Sequence, residues 1–122
     1  MKNAVVWSEI AVADLKRATA FYEKLLDGKL KPESFGPFQI ALFPHAADGV
    51  GGCLVHGEGY EPSAKGTVTY LAATPGIDAA LERARAAGAR VLMTKTALPG
   101  DQGYIAHVAD PDGNRVGLHA MS

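Results

Sequence analysis

The order of structural signals in this chain occurs twice, and that repetition limits the fold more than any single residue does. Leu15, Ala18, Phe21, Tyr22, Leu25 and Leu26 recur at helical spacing and form one apolar face. Ile77, Ala80, Leu81, Ala84 and Ala87 do so again. Leu15 and Ile77 open their segments 62 residues apart, and Gly28 and Gly88 close them 60 apart. Asp48-Gly49 and Asp112-Gly113 precede the last extended stretch of each half, 64 residues apart. A spacing this long, seen only twice, indicates a duplicated supersecondary unit rather than a solenoid.

Each unit reads as a strand, a helix and three further strands. In the first, residues 4–12 are rich in valine and isoleucine with a tryptophan, as a strand requires. Asp14 is the expected N-cap of the helix and Gly28 its expected C-cap. Short extended stretches follow at 30–35, 38–43 and 51–55, and a polar connection covers 57–66. In the second unit, residues 67–73 form the opening strand, with Thr74 as N-cap and Pro75 at the first helical position. Strands are expected near 90–94, 103–108 and 115–119, and Asp110-Pro111-Asp112-Gly113 is a strong turn before the last. The fold class is therefore α+β: two tandem βαβββ modules, 1–57 and 66–122, in a single domain whose mixed sheet curls into a cup with helices outside.

Bulk properties exclude several function classes. A chain of 122 residues suits one domain with its own core. A formal net charge of -1 argues against a nucleic-acid footprint or a polybasic membrane surface. Cys53 is the only cysteine, so no intrachain disulfide can form, which suits a reducing compartment. The apolar run at residues 4–7 is too short for a signal peptide and is broken by Glu9. No segment approaches the ~18 apolar residues of a membrane span, so a soluble cytoplasmic protein is expected.

Two segments carry a family resemblance. One runs from Asp14 through Phe21-Tyr22 and Leu25-Leu26 to Gly28. The other is Gly103-Tyr104-Ile105-Ala106-His107-Val108-Ala109-Asp110-Pro111-Asp112-Gly113-Asn114-Arg115-Val116-Gly117-Leu118. Together they resemble the vicinal oxygen chelate superfamily, which includes glyoxalase I, extradiol dioxygenases, and fosfomycin- and bleomycin-resistance proteins. The resemblance implies a cup whose floor often holds a divalent metal, with ligands from the first and last strands of each module. Carried over position by position, those ligand places fall on Trp7, Cys53, Thr69 and Gly117. Tryptophan and glycine offer no side-chain ligand, threonine is a poor one, and a lone thiolate is not a site. The expectation is therefore a member without the usual metal and with no cofactor.

Strand alternation puts Trp7, Glu9 and Ala11 on one face of the first strand, and Val6, Ser8, Ile10 and Val12 on the other. The second set is the more apolar and packs under the helices, which points Glu9 into the cup. Gly117 and His119 share a face by the same rule. Glu9 and His119 are thus candidates for a general acid–base pair. The alternative is a Glu9 bonded at a rim and a solvated His119. His107, on the strand before the turn, is a further candidate ligand contact or a structural histidine. Cys53 reads as a buried small side chain, and Trp7 as a stacking floor or as core. His45 and His56 lie near turns. Two functions remain open at this point. One is a binder that encloses a small molecule without metal, as bleomycin-resistance proteins do. The other is a metal-dependent lyase, isomerase or dioxygenase acting on a small oxygenated substrate. The resemblance implies a homodimer in either case.

Overall fold

A computed structural model describes all residues, 1–122. Its elements are β1 (Trp7–Ala11), α1 (Leu15–Leu26), β2 (Lys31–Phe35), β3 (Phe38–Leu42) and β4 (Gly51–His56), then β5 (Tyr70–Ala72), α2 (Ile77–Ala86), β6 (Arg90–Ala97), β7 (Tyr104–Ala109) and β8 (Arg115–Ala120). The βαβββ unit does occur twice. Each module has its own four-stranded sheet, ordered β1-β4-β3-β2 and β5-β8-β7-β6, rather than contributing to one continuous sheet. In both, the first strand pairs in parallel with the last and the other pairings are antiparallel.

The helices form where the periodicity requires. Asp14 caps α1, its carboxylate accepting from the Arg17 amide at 3.0 Å. The buried face of α1 is Ala18, Phe21, Tyr22 and Leu25, and that of α2 is Ile77, Ala80, Leu81 and Ala84. Two expected caps differ. The left-handed residue that ends α1 is Asp27, at φ 52°, not Gly28; a short polar side chain tolerates that conformation, and Gly28 donates back to the Glu23 carbonyl. At α2 the N-cap is Gly76, so Thr74 and Pro75 lie in the preceding turn. Gly76 has no side chain to cap with, and the Ile77 amide donates to the Ser122 carbonyl instead.

One cluster of 18 buried apolar residues joins both modules. Ile10, Val12, Ala41 and Leu54 face it from the first sheet, and Ala73, Ala106, Val108, Val116 and Leu118 from the second. Each large aliphatic side chain so buried contributes about 1.5–3 kcal/mol. The opposite faces of the two sheets point away from the helices and form an open face.

Polar contacts fix the modules to each other. The Asp110 carboxylate accepts from the Tyr22 hydroxyl at 2.6 Å, from the Asp112 and Asn114 amides, and from Asn114 Nδ2. Asn114 Nδ2 also donates to the Ala11 carbonyl, and its Oδ1 accepts from the Ser63 amide. Arg17 of α1 reaches Asp112 at 2.6 Å. The Asp-Pro-Asp-Gly-Asn turn of module two thus holds the end of β1, one face of α1 and the intermodule connection. Burial, reinforced by the Asp110 charge, pushes the Tyr22 phenol far above its ordinary value. Arg83 of α2 closes a second tie, donating to the carbonyls of Leu25 and Thr74.

Candidate functional site

The two modules touch where Ser8 Oγ of β1 and Thr69 Oγ1, just before β5, lie 3.0 Å apart. These residues are equivalents in the repeat. Val12 donates to Val55 and Ala73 to His119, so the first strands correspond at a spacing of 61. Helix openings are 62 apart because the connection into α2 is one residue longer. The residue of β5 equivalent to Glu9 is therefore Tyr70. Thr69 matches Ser8 and points toward it, and the counterpart of Trp7, which the helix spacing of 62 put at Thr69, is Val68 at the strand spacing.

On the open face of module one, Glu9 sits in register with Cys53, and Cys53 with Leu42. Trp7 is in register with Gly51, and both its ring and that of His45 lie over that glycine; a Cβ there would come within 3.0 Å of Trp7 and 3.1 Å of His45. The Tyr60 hydroxyl donates to Glu9 Oε1 at 3.0 Å, and Phe38 packs edge-on against Tyr60. Accepting from Tyr60 ties Glu9 to that phenol and raises the phenol's pKa, through the hydrogen bond first and the carboxylate charge second. Cys53 is buried, and its thiol is pushed up to about 11 by burial and by the Glu9 charge, against a smaller lowering from Trp7.

On the open face of module two, Tyr70, Gly117 and His107 line up in register across β5, β8 and β7. The Tyr70 ring crosses over Gly117 so closely that a Cβ there would fall 2.4 Å from the ring. It ends with its hydroxyl 2.5 Å from His107 Nε2. Arg115 Nη1 lies 3.0 Å from His107 Nδ1. His107 is buried, and its pKa is lowered by desolvation and then by the Arg115 charge.

His119 also lies on this side of β8, but its Nε2 is bound to the Gln102 carbonyl at 2.7 Å, in the β6–β7 connection. Its hydrogen bond and that of Glu9 go to different partners, and no contact joins the two side chains. His56 bonds the Val12 carbonyl. Depressions lie elsewhere. One of about 350 Å³ is lined by Asp78, Leu81, Glu82, Arg85, Thr94 and Lys95, between α2 and β6. A second, of about 210 Å³, lies along the 97–104 connection and Met121. Neither touches Trp7, Glu9, Tyr70 or His107.

The sequence reading missed Tyr60, Tyr70, Arg115 and the approach of His45. Tyr70 could have been found by counting the repeat from the strands instead of the helix openings. Tyr60 sits in a polar connection that carries no periodic signal.

A divalent ion does not fit the side chains present. Nowhere in the chain do three His, Cys, Asp or Glu groups come together as a ligand set. Glu9 and Cys53 are neighbours, but the thiol is buried and protonated at neutral pH. In module two the Tyr70 ring fills the space above Gly117 where a ligating side chain would stand.

The model of the Glyoxalase/Bleomycin resistance protein/Dioxygenase superfamily matches residues 4–118. The chain belongs to that superfamily. Among solved structures, this superfamily member resembles a glyoxalase I mutant from Zea mays, with 26% identity and a TM-score of 0.73. That match covers 95% of this chain and 45% of the maize chain, so this superfamily member spans about half its relative's length. A glyoxalase/bleomycin resistance protein/dioxygenase family enzyme from Burkholderia phytofirmans PsJN matches at 16% identity and a TM-score of 0.69, over 95% of this chain and 97% of that one. A glyoxalase/bleomycin resistance protein from Catenulispora acidiphila matches at 19% and 0.65, over 96% and 97%. These last two show the shared fold alone. No curated protein sequence matches. No helix is long and apolar enough to cross a membrane.

Proposed function

We propose that this superfamily member binds a small, flat organic molecule on its open face without a divalent metal. The observation that carries the reading is the pair of half-exposed aromatic side chains, Trp7 and Tyr70, at 46% and 45% exposure. They project from β1 and β5, beside the contact of Ser8 with Thr69, each lying over a glycine of the neighbouring strand. An aromatic surface flanked by a few fixed polar groups is what recognition of a planar ligand needs.

Trp7 is the only tryptophan, so its fluorescence reports on this face alone. Titration with a panel of planar aromatic compounds is expected to change that signal saturably for at least one, and Trp7→Ala to weaken binding of that compound about tenfold or more. A panel that leaves the emission unchanged throughout would sink the reading.

The 26% identity with a maize glyoxalase I favours a second reading, a metal-dependent enzyme of glyoxalase type whose ion would need ligands beyond those this chain brings together. Metal analysis of protein purified without chelator, and assays with added Zn, Ni, Mn or Fe, separate the two readings. A homodimer belongs to either one. Val5, Val6 and Phe35 are exposed apolar groups that a second copy would cover. Light scattering is then expected to give twice the 12.7 kDa chain mass, and a monomer would exclude pairing.

A further inference from the structure

Among the polar groups of the open face, the row Arg115–His107–Tyr70 admits only one arrangement of protons. A guanidinium has donors and no acceptor. With Arg115 Nη1 at 3.0 Å, His107 Nδ1 must present a bare lone pair. A neutral imidazole then carries its proton on Nε2, which donates to the Tyr70 oxygen. The reverse direction, Tyr70 donating to Nε2, would leave an Nδ1–H facing a guanidinium N–H. An imidazolium would do the same and add a second positive charge. Burial and the Arg115 charge both disfavour it.

Tyr70 therefore accepts one hydrogen bond from within the chain and keeps its own hydrogen to give away. Its sole partner in the chain is His107, and the ring is half exposed. Successive hydrogen bonds running in one direction polarise each other, which makes the terminal hydroxyl a better donor. The arrangement is also built into the sheet. Tyr70 reaches across β8 to β7 only because residue 117 has no Cβ.

We infer that Tyr70 is the hydrogen-bond donor of a ligand subsite, and that the group it takes is an oxygen acceptor such as a ketone, a carboxylate or a phenolate. This rests on the reading above that a planar molecule occupies the open face. Tyr70 contacts the ligand, whereas His107 and Arg115 are positioning residues that fix the polarity of its hydroxyl. A ligand offering only N–H or O–H donors at this point gains nothing from it.

The test uses two neutral probes of similar size, acetophenone and toluene, on protein labelled with 15N. The Trp7 indole N–H signal reports binding of either probe, and the His107 ring nitrogens report the tautomer. Acetophenone is expected to bind about tenfold more tightly than toluene, the worth of one good hydrogen bond. Tyr70→Phe should remove that preference. Arg115→Met should move His107 to the Nδ1–H form and lower the preference too, although neither residue touches the probe. An Nδ1–H or doubly protonated His107 in the unsubstituted protein at pH 7.5 overturns the polarity argument. A Tyr70→Phe protein that keeps the preference overturns the subsite while the planar-ligand reading stands. An indole signal that moves with neither probe removes that reading and the subsite together.

Discussion

Two glycines of the last strands show how different a single missing side chain can be in its consequences. At Gly117 an added Cβ meets the ring of Tyr70, a half-exposed side chain rather than backbone. Gly117→Ala is therefore expected to leave stability within about 1 kcal/mol of the original protein, while breaking the Tyr70–His107 bond. At Gly52 the added Cβ would lie 2.6 Å from the Ser8 carbonyl oxygen, part of the neighbouring backbone. Nothing there can rotate away, so Gly52→Ala is expected to cost about 1–3 kcal/mol. Urea unfolding with an unchanged slope would check both, and equal costs would contradict the distinction. His107 adds a pH dependence. Its folded pKa lies below the ordinary 6.5, so its contribution to stability is complete above 6.5 and is lost as the pH falls from there through the folded pKa. Melting temperatures recorded from pH 8 to 5 should fall, and fall less in Arg115→Met, which removes one of the two causes.

At the scale of elements, the turn between β7 and β8 does more for the fold than its length suggests. Tyr22 is fully buried, and its hydroxyl ends on Asp110. Tyr22→Phe removes that bond from a carboxylate acceptor and is expected to cost about 1.5–3 kcal/mol. Because burial holds the folded phenol protonated far above its ordinary 10.0, the stabilisation is intact below that pH and declines above it. Unfolding measured between pH 9 and 11 should show the decline, and Tyr22→Phe should flatten it. The elements themselves were legible in the sequence because each signal was local. Helical periodicity located α1 and α2, and turn residues located the strand ends. The caps were less legible. Asp27 ends α1 in place of the glycine beside it, since either residue tolerates a left-handed backbone and nothing local decides between them. The site was least legible. One extra residue before α2 shifts the strand register against the helix register, which put the counterpart of Trp7 at Thr69 instead of Val68 and hid that Tyr70 is the counterpart of Glu9.

For the molecule as a whole, the shared core makes the modules one cooperative body. The 18-residue cluster crosses between them, and the Tyr22–Asp110 and Arg83–Leu25 contacts tie helix to turn and helix to helix. Unfolding followed by Trp7 fluorescence in module one and by the His107 ring signals in module two should share one midpoint; separate midpoints would show two bodies. Yet the halves are not fastened symmetrically. Module one's corresponding turn, at Asp48-Gly49, bonds only back to Ala46, while module two's turn reaches three other parts of the chain. Descent from a duplication would thus have left one half free to drift at its turn and the other held to its spelling. The Asp-Pro-Asp-Gly-Asn turn then serves as a fastener, and what holds its letters in place is the helix, strand and connection it grips rather than any chemistry on the open face.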